Sequence, residues 1–311
     1  MQGAGLSPID AVRTPDDRFL NLPDFAWHPL FEDQLAGYEG LRMARIDEGP
    51  QDAERVFLCL HGQPSWGFLY RHMIPVFLET GARVVVPDLF GFGRSDKPIQ
   101  DNCYTFTFHR QSLIELIETL DLKGITLVVQ DWGGLLGLTI PPNMPDRFNR
   151  LLVMNTVLGL GGGSSEGFDA WRDFHRTHPD YDVAALFQKY VPGMSDEVAA
   201  AYAAPFPDAR YRGGVRRFPS LVMTEPDMEG VDVSRRAAAW WKTDWSGDSF
   251  MAIGEADVLI PPRLMKRMHE ILGVVRPPLM LPDAGHFVQE TNGEQVARAG
   301  LSAWEDVGHP S

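Results

Sequence analysis

From Thr126 to Gly134 the chain reads Thr-Leu-Val-Val-Gln-Asp-Trp-Gly-Gly. An apolar run, an abrupt polar residue and paired glycines ahead of further leucines predict a buried strand that turns sharply into a helix. Five more runs read as strands: Arg55–Leu60, Arg83–Pro87, Leu151–Asn155, Ser249–Gly254 and Leu279–Leu281. Most are continuous apolar stretches bounded by Gly, Pro or Asp, the pattern of parallel strands buried on both faces. Between them Phe108–Leu120 places Leu113, Ile114, Leu116, Ile117 and Leu120 on one helical face, and Gln295–Trp304 reads as a closing helix. Such alternation predicts an α/β chain with a doubly wound, mostly parallel sheet.

The alternation lapses between residues 156 and 239. That segment opens on Gly161-Gly162-Gly163-Ser164-Ser165 and continues with stretches rich in Trp, Phe, Tyr and Ala. No Lys-Ser or Lys-Thr follows the glycines, so a hinge is expected there and not a phosphate cradle. We read 156–239 as a helical cap inserted into a core made of 1–155 and 240–311.

The residue at the sharp turn fixes the chemistry. A strand running through such a turn into a helix is the setting of the nucleophile elbow of α/β-hydrolases, G-x-S-x-G. Here Val129 takes the first small position, Gly133 the last, and Asp131 stands where serine is usual. A serine alkylated at saturated carbon becomes an ether that water does not readily cleave. An alkylated aspartate becomes an ester whose carbonyl water can attack. Asp131 therefore points to haloalkanes or epoxides, not to esters or lipids.

Asp257 and His286 complete the order nucleophile, acid, histidine that this fold uses. Each of the three follows an expected strand, at the edge where open α/β sheets build their sites. One histidine among nine is usually structural, and an Asp after a strand is usually a helix cap. All three together, in order, argue for a catalytic triad. Glu255 and Asp283 are the nearest competitors for the acid.

After the strand ending at Leu60 comes His61-Gly62-Gln63-Pro64. The loop at this place supplies one oxyanion-hole N–H and the residue after the nucleophile the other, which assigns the backbone N–H groups of Gln63 and Trp132. The indole N–H of Trp132 is a donor suited to a large, weakly hydrated halide. A second donor is expected from the cap, with Trp171, Trp240, Trp241 and Trp245 as candidates.

Composition narrows the partners. The net charge of −14 disfavours nucleic acid and anionic membranes and suits a small neutral ligand. Cys59 and Cys103 have no metal-ligand spacing, and the first 24 residues lack the apolar core of a signal peptide. No apolar run reaches the length of a membrane span. A cytoplasmic protein without metal or organic cofactor is expected. Its oligomeric state is left open, a monomer being allowed.

The elbow Val-Val-Gln-Asp-Trp-Gly-Gly, the His-Gly-x-Pro loop, the stretch Pro87–Pro98 and Ala284-Gly285-His286-Phe287-Val288-Gln289-Glu290 together resemble haloalkane dehalogenases. The likeness runs from Ala11-Val12-Arg13-Thr14-Pro15 to the last helix and includes Ala203-Ala204-Pro205-Phe206-Pro207-Asp208. It is strongest to the subgroup with an Asp-His-Asp triad and two halide-binding tryptophans, which includes the dichloroethane-degrading enzyme. The resemblance implies Asp131 as nucleophile, Asp257 as acid, His286 as base, Trp132 and Trp171 as halide donors, and Phe168 in the pocket. Trp171 is singled out by Gly167-Phe168-Asp169-Ala170-Trp171, since Gly-Phe-x-Ala-Trp recurs in that subgroup. The implied partners are a small apolar halogenated substrate and the halide product.

Two departures stand out. The subgroup usually has Glu where this chain has Gln63, and the cap opening from Thr156 to Glu166 looks shorter. Two rival functions also remain. One is an epoxide hydrolase, which shares the aspartate elbow and needs cap tyrosines such as Tyr181, Tyr190, Tyr202 or Tyr211. The other is a ligand-binding receptor on a hydrolase scaffold.

Overall fold

The computed structural model describes residues 9–305. Eight strands form one sheet: β1 (Leu30–Glu32), β2 (Met43–Glu48), β3 (Val56–Leu60), β4 (Arg83–Pro87), β5 (Ile125–Val129), β6 (Phe148–Met154), β7 (Asp248–Gly254) and β8 (Leu279–Leu281). Their spatial order is β8-β7-β6-β5-β3-β4-β2-β1, with β3 to β8 parallel and β2 antiparallel to both of its neighbours, β4 and β1.

The six expected strands are all present. The sequence reading missed β1 and β2, because β2 carries Arg45, Asp47 and Glu48 among its apolar residues. The Asp47 charge is paired inside the sheet: Arg83 of the neighbouring β4 donates to both of its carboxylate oxygens, at 2.7 and 2.8 Å. β6 begins at Phe148, earlier than expected, since the exposed Asn149 and half-buried Arg150 interrupt its apolar run. β3, β4 and β5 are buried along their whole length.

The helices are α1 (Ile74–Leu78), α2 (Phe106–Thr119), α3 (Trp132–Gly137), α4 (Glu166–Thr177), α5 (Val183–Tyr190), α6 (Asp196–Ala203), α7 (Gly213–Leu221), α8 (Val231–Thr243), α9 (Pro262–Ile271) and α10 (Val288–Glu305). The last is two helices joined across a break at Asn292, and so begins well before the expected Gln295. Between β6 and β7 the described chain is helical, with no strand. Ser165 starts this stretch: its hydroxyl accepts from the Phe168 N–H at 3.0 Å and donates to the Leu259 carbonyl at 2.8 Å. One hydroxyl thus caps α4 and ties it to the loop after β7. Farther along, Tyr202 of α6 joins Glu290, which takes a bidentate pair from the buried Arg71. No helix among the described residues is long and apolar enough to cross a membrane.

Topology places the site. From β3 the chain passes to β4 on one side and then to β5 on the other, so connections diverge between β3 and β5. A crevice opens at the carboxyl ends of strands where this happens. The register pairs Leu60 with Val129. It therefore sets the loop His61-Gly62-Gln63 beside Gln130-Asp131.

Candidate active site

Asp131 has φ 50° and ψ −124°, a backbone state costly for any residue but glycine. Such strain is of order 1–3 kcal/mol and needs surroundings that enforce it. The Asp131 N–H donates to the Asn155 carbonyl at 3.0 Å. Its own carbonyl accepts from the Thr156 hydroxyl at 2.7 Å and from the Gly134 and Leu135 N–H groups at 3.0 and 3.1 Å. The turn also needs bare backbone around it. A β-carbon on Gly133 would overlap the Leu60 carbonyl, and one on Gly62 would overlap the Asp131 carboxylate. These contacts are why small residues recur at the elbow.

The turn carries the Asp131 carboxylate out of the sheet with its two oxygens in different settings. Oδ1 accepts the Gln63 backbone N–H at 2.8 Å. Oδ2 lies 3.4 Å from His286 Nε2. His286 Nδ1 is 2.8 Å from Asp257 Oδ2. The three residues drawn from separate loops are thus brought into one line. Glu255 and Asp283, the competitors for the acid, are both exposed.

Asp257 is buried and fully bonded. Its Oδ1 accepts the Leu259 and Ile260 N–H groups at 2.8 and 3.1 Å, and its Oδ2 accepts from Asn155 Nδ2 at 2.8 Å. Burial alone would raise its pKa, but His286 and these donors outweigh that and hold it below the usual range. Asn155 was not singled out in the sequence. It directly follows β6, and its Oδ1 also accepts the Gly254 N–H at 2.8 Å, so it locks the loop carrying Asp257. A lone Asn after a strand gives no signal of that role.

His286 feels opposed influences. Burial disfavours its charged form, but the charge of Asp257 and the hydrogen bonds to Asp131 and Asp257 prevail, and its pKa is raised to about 10. Gln130, likewise missed in the sequence, works the other way. Its amide donates to the His286 carbonyl at 3.0 Å and stands 3.1 Å from Nε2, a contact suited to a neutral ring. Removing the Asp131 charge should therefore lower the His286 pKa. Imidazole NMR titration of Asp131→Asn should find it below that of the native protein. An equal or higher value would contradict this balance.

Over these groups lies a cavity of about 170 Å³. Its lining includes Gln63, Asp131, Trp132, Phe168, Trp171 and His286, and the remainder is mostly apolar, with Ser164, Ser165, Thr224 and Arg267 as polar exceptions. Trp132 and Trp171 both line the cavity, and their indole N–H groups have no acceptor among the described residues. The other candidate donors are elsewhere. Trp240, Trp241 and Trp245 pack on one another, and none lines the cavity. Trp241 donates to the Leu138 carbonyl and Trp245 to the Ser249 hydroxyl. No tyrosine lines the cavity either. The Trp132 backbone N–H opens α3, where helical N–H groups lack intrahelical partners.

Residues 55–293 match the family model of the α/β hydrolase fold. The haloalkane dehalogenase of Psychrobacter cryohalolentis is 41% identical over 92% of this chain and 95% of its own. Haloalkane dehalogenase 1 of Mycobacterium tuberculosis is 40% identical over 96% of this chain and all of its own length. The chain belongs to the haloalkane dehalogenase family. Among solved structures of the family, the tetrameric haloalkane dehalogenase DpaA of Paraglaciecola agarilytica superposes with a TM-score of 0.93 at 50% identity, covering 95% of this chain and 99% of its own. The fold expected from the elbow and the family expected from the motifs both hold.

Proposed function

We propose that this enzyme hydrolyses short haloalkanes to an alcohol, a halide and a proton through an ester on Asp131. The single observation that carries the reading is the aspartate at the elbow in a cavity also lined by two tryptophans whose N–H groups have no protein acceptor. Gln63 holds Oδ1, leaving Oδ2 to attack carbon in line as the carbon–halogen bond breaks. Trp132 and Trp171 receive the departing halide. The ester has no carboxylate charge, so His286 loses one of the influences that raise its pKa and can act as base. It takes a proton from water as that water attacks the ester carbonyl. The N–H groups of Gln63 and Trp132 stabilise the oxyanion, and Asp257 stabilises the imidazolium. Collapse returns the Asp131 carboxylate and releases the alcohol, and the imidazolium then gives up its proton. No step calls for a metal or organic cofactor.

Residues 156–239 serve as the cap in this reading, with Phe168 and Trp171 as its contribution to the pocket. The triad and the paired tryptophans support membership of the Asp-His-Asp subgroup. The free cysteines Cys59 and Cys103 suit a reducing cytoplasm. A cavity of about 170 Å³ is small beside the roughly 300 Å³ at which drug-sized sites begin, so chains of a few carbons are the expected substrates. The epoxide reading requires a tyrosine hydroxyl over the nucleophile, and the cavity lining has none.

A panel of 1,2-dibromoethane, 1,2-dichloroethane, 1-bromobutane and styrene oxide tests this, with Asp131→Asn as blank. Halide and acid should be released from the haloalkanes by the native enzyme only, with no diol from the epoxide. Diol formation without halide would move the assignment to an epoxide hydrolase. Ligand-induced stabilisation without turnover would support a receptor instead.

A further inference from the structure

Gln63, the residue that departs from the subgroup's glutamate, is joined to both sides of the cavity. Its backbone N–H holds Asp131 Oδ1 at 2.8 Å. Its side chain crosses into the helical insertion, where Nε2 lies 3.1 Å from the Val215 carbonyl of α7 and 3.3 Å from His175 Nε2 of α4. A carbonyl can only accept, so the NH₂ end of the amide faces Val215. His175 has Nδ1 2.8 Å from the Trp171 carbonyl and so donates there, which leaves Nε2 as an acceptor for Gln63. The His175 ring lies 4.1 Å from the Trp171 ring, with Tyr181 against it at 4.6 Å.

We propose that Gln63 and His175 form a positioning relay that joins the nucleophile loop to Trp171 and sets that indole for the halide. The proposal rests on the reading of Trp171 as a halide donor. Because no protein acceptor fixes the Trp171 N–H, its aim depends on what packs against the ring. His175 is the nearest ring to it, and Gln63 keeps His175 in place. The side chains of Gln63 and His175 are both buried, so water does not readily replace a lost partner.

The relay also gives a reason for an amide at position 63. A carboxylate has no hydrogen for the Val215 carbonyl, and its charge would draw a proton onto His175. Burial instead favours the neutral ring and lowers the His175 pKa to about 4. With both ring nitrogens protonated, Nε2 could no longer accept from Gln63.

Bromide is the probe, its affinity read from tryptophan fluorescence in the full-length enzyme. Gln63→Met and His175→Phe should each weaken bromide binding about tenfold, as expected when a contact is misplaced. The double variant should lose no more than the worse single one, because both break one connection. His175→Gln keeps an acceptor and should recover part of the loss. Gln63→Glu should make bromide affinity depend on pH between pH 5 and 8 (roughly the range in which a histidine beside a carboxylate titrates), whereas the native affinity stays flat. A purely structural role would give neither the rescue nor the new pH dependence. Bromide affinity within twofold of native and flat with pH in all four single variants, alongside a clear loss in Trp171→Phe, would overturn the relay. No loss in Trp171→Phe would overturn the halide reading of Trp171, and the relay with it.

Discussion

Mixed with 1,2-dibromoethane, His286→Gln is expected to release one equivalent of bromide and stop, with the alkyl group left on Asp131. Alkylation asks nothing of His286 beyond space, because a carboxylate oxygen attacks carbon without a base to take a proton from it. Hydrolysis asks for a base beside the ester carbonyl, and His286 Nε2, 3.4 Å from Oδ2, is the group in place. Asp257 cannot substitute, since its oxygens are taken up by His286, Asn155 and two backbone N–H groups. Steady turnover should fall by on the order of a thousandfold or more, as when a member of a catalytic unit is removed. Intact-protein mass spectrometry should find the added alkyl group, and peptide mapping should place it on Asp131. Full turnover by this variant would dismiss the assigned base, and an adduct on another residue would dismiss the nucleophile.

The second large effect concerns the elbow itself. Gly133→Ala should destabilise the protein by on the order of 3 kcal/mol, the upper part of the usual cost of overpacking. The added methyl would press on the Leu60 carbonyl, which is main chain in a fully buried strand and cannot swing aside. Asp131 would be displaced with it, so activity should fall alongside stability. Gly162→Ala is the control, since nothing lies within contact of an added methyl there. Its effect should stay within about 0.5 kcal/mol. Urea unfolding read by tryptophan fluorescence measures both. Equal midpoints for the two variants would mean that the close approach at Gly133 is not rigid.

Much of this was legible in the sequence, and for identifiable reasons. The core strands announce themselves because parallel strands covered on both faces must be apolar throughout, as at Val56–Leu60 and Ile125–Val129. Asp131, Asp257 and His286 were legible because each comes shortly after a strand, where chain order and fold dictate position. β2 was hidden because Asp47 and Arg83 satisfy each other across neighbouring strands, a pairing visible only once the sheet is assembled. Asn155 and Gln130 were hidden for the same reason: their effect runs through contacts with residues distant in sequence. Trp171 could be chosen over Trp240, Trp241 and Trp245 only by resemblance, as all four read alike as helical aromatics. The structure separates them by position: Trp171 lines the cavity and the other three do not. Gln63 stands out in the sequence as a departure, but what its side chain touches could not be read without the positions of His175 and Val215.

The central claim is that Asp131 forms an ester that water cleaves at its carbonyl. A single turnover in heavy-oxygen water, with enzyme in excess over 1,2-dibromoethane, tests it most directly. Attack on the ester carbonyl predicts that the label enters the Asp131 carboxylate, detectable by peptide mass spectrometry, while the first alcohol formed carries ordinary oxygen from the protein. Label in the alcohol with none in Asp131 would mean that water attacks carbon directly, and the covalent scheme would be wrong.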